Sequence, residues 1–97
     1  MHEYLSAHIR EEIEGAMDYY SKAIELKKVN PAWAMKFFTM AGMEVDHANC
    51  MTKMFNAVEK PDNLSIDEFS RMQRDVIDVY TTSMSKIETM KKMYWSD

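Results

Sequence analysis

Residues 31–58, PAWAMKFFTMAGMEVDHANCMTKMFNAV, decide the fold of this chain. Asn30-Pro31 pairs a good helix N-cap with proline at the first helical position, and the next proline is Pro61. Wound at ~100° per residue, the segment sets Trp33, Phe37, Met40, Met51, Phe55 and Val58 within about 40° of one line. Glu44 falls on that line, and His47 follows at i+3 on the edge of the stripe. Phe38, Val45 and Met54 carry the apolar surface well beyond one stripe, and a helix apolar on most sides is surrounded by neighbours. An unpaired carboxylate on such a face is costly. A metal ion is the compensation that suits Glu44-Val45-Asp46-His47 best.

Working outward, the same punctuation divides the rest of the chain. Lys60-Pro61-Asp62-Asn63 is a second break, and Ser65-x-x-Glu68 is a capping box that opens a further helix. The reading is an all-α chain of three helices over about residues 4–28, 31–59 and 66–94, forming one domain over residues 1–97. Loops this short make the first two helices an antiparallel hairpin. Helix 1 has its seam at Leu5, Ile9, Glu12, Ala16, Tyr19, Ala23 and Leu26, with Glu12 the one acid in it. Glu11, Glu14, Asp18 and Glu25 project off that seam. Helix 3 has a ligand-free seam at Phe69, Met72, Val76, Tyr80, Ser83, Ile87, Met90 and Tyr94, with Glu68, Asp75, Asp78 and Glu88 on its flanks.

Bulk properties exclude several classes. A formal charge of −4 over 97 residues argues against nucleic acid, whose phosphates demand clustered Lys and Arg. Cys50 is the single cysteine, so there is no intrachain disulfide and no cysteine-rich zinc site. No run approaches ~18 apolar residues and His2-Glu3-Tyr4 does not begin a signal peptide. These features place the chain off the membrane, in the cytoplasm or within a cytoplasmic protein compartment. A core this small gains from self-association.

Glu12 lies 18 residues before the turn at Asn30, ~27 Å along a helix. Glu44 and His47 lie about 15 residues after it, ~23 Å. The two sets therefore share a height on facing helices. Carboxylates with an imidazole suit iron or manganese, and zinc less selectively. A dinuclear four-helix site takes one Glu from each of two helices and one Glu-x-x-His from each of two others. This chain holds half of that set, so a homodimer or higher homo-oligomer would complete the site on a two-fold axis.

Glu12-x-x-Gly15-x-x-x-Tyr19-x-x-x-Ala23 together with Met43-Glu44-Val45-Asp46-His47-Ala48 resembles the ferritin-like superfamily. The half-length encapsulated-ferritin type is the most similar, and Glu11-Glu12-Ile13-Glu14 is similar to its acidic run. The resemblance covers roughly residues 9 to 55. It implies a ferritin-like four-helix bundle made by two copies, with Glu12, Glu44 and His47 as iron ligands and catalytic residues of a ferroxidase-type centre. It also implies Tyr19 as an aromatic neighbour and Glu11 and Glu14 as secondary metal contacts. An encapsulating shell fits that type, but Lys92-Met93-Tyr94-Trp95-Ser96-Asp97 does not look like a targeting tail.

Two other readings stand beside this one. The wide apolar face of helix 2 suits a non-catalytic assembly or adaptor module. The eleven methionines, with Met40-x-x-Met43 and Met51-x-x-Met54, suit copper, for which thioethers are soft ligands; core filling explains them more simply. His2 and His8 read as surface or N-terminal residues, and Cys50 as facing the polar side of helix 2.

Overall fold

The computed structural model describes residues 1–96; Asp97, the last residue of the C-terminal stretch above, lies outside them. Three helices account for the described architecture: α1, His2–Leu26; α2, Pro31–Ala57; and α3, Ile66–Trp95. The expected hairpin and all-α class are present, with helix ends within about two residues of those read from the sequence. Asn30 caps α2 by accepting the Trp33 N–H at 3.2 Å, with Pro31 in the first turn. At α3 both halves of the capping box form. Ser65 Oγ accepts the Glu68 N–H at 3.1 Å, and the Glu68 carboxylate accepts the Ser65 N–H at 3.2 Å.

The helices make a rod of 53 × 18 × 15 Å with α1 packed against both others. His2 meets Phe69 near the start of α3, and Lys27 reaches the end of α3, so α1 and α3 run parallel while α2 runs antiparallel to both. The Lys27 ammonium donates to the carbonyls of Met93, Tyr94 and Ser96. These carbonyls lie where the intrahelical hydrogen bonds run out, with Met93 O otherwise accepting only the Ser96 N–H and hydroxyl, and a cation there also offsets the negative end of the helix dipole. Long side chains bridge α2 and α3: Tyr80 donates its hydroxyl to Asn49, and Phe38 stacks on Tyr94 at 4.4 Å.

The buried line of α2 is not the one that its large residues describe. Ala34, Ala41, Ala48 and Phe55 are fully buried at a spacing of seven. Trp33, Met43 and Met54 are more than half exposed, and Phe37, Met40 and Met51 are partly so. On α1 the seam shifts in the same sense. Leu5, Ile9, Ala16 and Ala23 are buried as expected, but Ile13 and Tyr20 complete the core while Glu12, Tyr19 and Leu26 stay at its margin.

The cause is the small residues. Ala23 shares a cluster with Ala34, Ala16 with Ala41, and Ile9 with Ala48. Such pairs let two backbones approach closely, because interaxial distance follows side-chain size at the contact. Helix 3 follows its expected seam, with Phe69, Val76, Ser83, Ile87 and Tyr94 buried.

Two smaller expectations change. His2 is buried against the edge of Phe69, with ring centroids 6.1 Å apart, and is not a surface residue. None of the eleven methionines is fully buried. Met17, Met51, Met72 and Met84 pack around the core instead of filling it, as expected of a flexible side chain at a margin.

Ser65→Ala should lower stability by about 1 kcal/mol, seen as a lower urea midpoint at unchanged slope. Ser65, through its hydroxyl first and its backbone N–H second, holds the Glu68 carboxyl below the usual range. The contribution of that carboxylate is therefore complete above the carboxyl range of the unfolded chain and disappears as pH falls through the lower folded value. The amide shift of Ser65, followed by NMR during acid titration, should move across that lower range in the wild type.

Candidate metal centre

Glu12, Glu44 and His47 meet along one side of the α1–α2 hairpin. One donor atom from each lies within 4.8 Å of the other two. Each arrives by helical geometry alone. Glu12 precedes the buried Ala16 by one turn, and Glu44 and His47 flank the Ala41–Ala48 row on α2. The spacing i, i+3 puts the carboxylate and imidazole of α2 on one face. The turn at Lys27–Asn30 then sets Glu12 level with them, as the heights along each helix require.

Beneath Glu44 lies Gly15. A Cβ at that position would stand 3.6 Å from the Glu44 Cδ and Oε2 atoms, so the Glu44 carboxylate rests directly over the glycine. The Glu12 side chain is 19% exposed, whereas the His47 side chain is 61% exposed. His47 Nδ1 lies 3.4 Å from Glu12 Oε2. That oxygen is nonetheless buried without a hydrogen bond, because the approach falls outside hydrogen-bonding geometry.

These observations test whether a metal ion fits. Buried polar atoms are almost always satisfied, and the Glu12 oxygen is an exception that points at two other donors. Two carboxylate oxygens within 4.8 Å of one another repel by on the order of 1–4 kcal/mol between water-like and protein-surface dielectrics. A divalent cation would satisfy the orphan oxygen and reverse that repulsion. The donors are carboxylate oxygens and imidazole nitrogen, which suits iron or manganese better than a soft cation. The residues present fit an iron-type ion.

Other expected contributors take different places. Tyr19 is half-buried two turns along α1 from Glu12, its ring 6.0 Å from that of Phe37, outside the donor cluster. Glu11 is exposed and sits 3.4 Å from His8 Nδ1; Glu14 is exposed. Neither belongs to the cluster. Cys50 is exposed and outside it too. Tyr20 faces the α3 side, where burial raises its phenol above the ordinary value, Lys91 opposes the rise, and Glu88 and Asp46 add to it. Sequence spacing alone did not single out Gly15 as the seat of Glu44, although Gly15 and Glu12 stand one turn apart in the quoted motif.

No helix among the described residues is long and apolar enough to cross a membrane. A family model described as Rubrerythrin matches residues 3–95, nearly the whole chain. Comparison with curated proteins and with solved structures gives no match.

Gly15 supplies the prediction of this site. Gly15→Ala adds one methyl at ordinary contact distance, so it should leave metal affinity intact and stabilise α1 by about 0.5–1 kcal/mol. Gly15→Leu should displace the Glu44 carboxylate and weaken metal binding at least tenfold. Thermal unfolding of the metal-free variants and a metal titration of each would separate the two effects.

Proposed function

The chain belongs to the rubrerythrin family, a ferritin-like di-iron family, and from that premise we propose that Glu12, Glu44 and His47 bind iron(II) for oxidation by dioxygen or peroxide. The convergence of the three side chains around the orphaned Glu12 oxygen carries this reading. The match names that family and not the encapsulated-ferritin type. The substrate is iron(II), which loses one electron per ion to the oxidant.

The roles of the residues follow from their positions. Glu12 and Glu44 supply two negative charges that lower the cost of concentrating divalent cations at a partly buried site. His47 is the exposed member and offers a neutral nitrogen at the mouth. Gly15 leaves the Glu44 carboxylate room to change its angle. Phe37, Met40 and Met51 stand along the open edge of α2 and would keep water from the reacting ions once covered.

A four-helix di-iron site needs twice this donor set. In our reading a second copy brings the other Glu12, Glu44 and His47, and the two ions share the two-fold axis. The alternative of a Met/His copper module draws less support, since His47 converges with two carboxylates, donors that suit a harder cation than copper(I). An assembly role for the exposed face of α2 is part of the same reading, as the face that receives the second copy.

Iron(II) added anaerobically should bind at about one ion per chain, and exposure to air should convert it to iron(III). Glu44→Ala and His47→Ala should each abolish stoichiometric binding. At 100 times the dissociation constant, iron should raise wild-type stability by about 2.7 kcal/mol and leave both variants unmoved. Wild-type iron uptake by either variant would overturn the assignment. The metal-free Glu12→Gln protein should unfold no lower than the metal-free wild type, because it loses a like-charge contact. It too should lose the iron-dependent rise.

A further inference from the structure

The end of the rod that carries the turn between α1 and α2 differs in character from the rest of the chain. Residues 22–36 and 88–96 meet there, since Lys27 reaches the last carbonyls of α3. Both tryptophans of the chain lie at this end, Trp33 59% exposed and Trp95 64% exposed, with Val29 80% exposed in the turn. We infer that this turn end docks on the headgroups of an anionic lipid bilayer, with the tryptophans and Val29 entering the interface and lysines engaging the phosphates. The surface stands apart from Glu12, Glu44 and His47 and works without their metal.

Charge is distributed unevenly along the rod. The chain as a whole carries −4. The turn end nevertheless holds six lysines against two acids among the described residues, with Asp97 following in the sequence. Both acids are already engaged. Glu25 pairs with Lys22 at 3.1 Å, and Glu88 pairs with Lys91 at 3.3 Å. Lys27 is committed to the carbonyls of α3. Lys28, Lys36 and Lys92 are exposed and have no carboxylate partner among the described residues. Every cation at this end is a lysine; the three arginines, Arg10, Arg71 and Arg74, lie in the other half of the rod.

That composition selects lipid over protein. Protein interfaces take up tryptophan and arginine but are depleted of lysine. Contacts with a membrane surface combine tryptophan, whose ring settles at headgroup level, with lysine, which an anionic leaflet attracts and whose stem lies along apolar surface. The shape agrees, because the rod is only 18 × 15 Å across and a fluid bilayer needs no matching groove.

The apolar groups are also fixed in position. The Trp95 ring packs edge-on against Phe38 at 5.3 Å and Tyr94 at 5.0 Å, so one side is held while the rest projects. Trp33 sits in the first turn of α2, where its N–H is held by Asn30. Between Lys27, Lys28, Tyr94, Trp95 and Ser96 lies an open hollow of about 520 Å³, with room for a headgroup phosphate. No described helix is long and apolar enough to cross a bilayer, so the contact is one of surface docking. The features that set the chain off the membrane exclude a spanning segment and are compatible with it. Glu12 then stands ~27 Å from the turn that meets the lipid.

Because both tryptophans lie at the docking end, intrinsic fluorescence reports on that end alone. Metal-free full-length protein should co-sediment with vesicles of equimolar phosphatidylserine and phosphatidylcholine and stay in solution with phosphatidylcholine alone. Its fluorescence should shift to the blue on binding, brominated phosphatidylcholine in the same vesicles should quench it, and added salt should release the protein. Lys28→Glu with Lys92→Glu should lower partitioning by about tenfold or more. Arg71→Glu with Arg74→Glu makes the same change in net charge away from the turn and should leave partitioning within about twofold. Circular dichroism checks that both pairs keep their helices. Equal binding to phosphatidylcholine alone, no binding to either vesicle, unquenched fluorescence in the bound state, or an equal response of the two charge-reversed pairs overturns the inference. Binding to soluble poly-glutamate with indifference to the vesicles overturns it too, and assigns the turn end to an acidic protein.

Discussion

The close approach of α1 and α2 along Ala16, Ala23, Ala34, Ala41 and Ala48 is the constraint on which the rest of the structure depends. Side chains of one carbon let the backbones draw together. Every other placement follows from that seam. It rotates α2 so that its alanines face inward and its aromatic and methionine residues face out. It brings Glu12 level with Glu44 and His47, so that one donor atom from each lies within 4.8 Å of the others. It also places Gly15 beneath Glu44, where an added Cβ would already stand in contact with the carboxylate.

That geometry leaves the isolated chain with two unfavourable features on one side. A buried carboxylate oxygen has no hydrogen bond, and an apolar helix edge faces water. Sites that work are often bought at a cost in local stability. In the proposed reading both costs would be relieved by the same event, the arrival of cations and a second copy beside Glu12, Glu44 and His47. The opposite side of the hairpin is conventionally satisfied, with α3 covering Ile13, Tyr20, Ala48 and Phe55 and Lys27 holding its end. The two faces thus divide the work, one closing the core and the other presenting Glu12, Glu44 and His47 together.

Much of this was legible in the residues. Asn30-Pro31 and Ser65-x-x-Glu68 marked two helix starts, and the capping hydrogen bonds form there. The seam of α3 was read nearly residue by residue, because that helix is amphipathic with one narrow stripe. The heights of Glu12, Glu44 and His47 could be counted from the turn, since rise per residue is fixed. In α2 the reading followed size. Trp33, Phe37 and Met40 seemed to define the inside because large apolar residues usually do, yet the seven-residue spacing of Ala34, Ala41, Ala48 and Phe55 was the stronger signal. Tyr19 and Tyr20 are adjacent, and a rotation of α1 by a fraction of a turn decided which of them entered the core.

The sequence by itself determined the three helices, their breaks and the height of each ionisable residue, because all of these depend on local period and spacing, and its two ligand segments carried the resemblance to the ferritin-like superfamily. Only the tertiary structure decided which face of α2 turns inward. A helix apolar on most of its circumference carries no internal preference among its faces; the choice is made by how closely the neighbouring helix can approach. That choice, and not the motif alone, leaves Glu44 and His47 at the margin of the core, where they meet Glu12 and face outward.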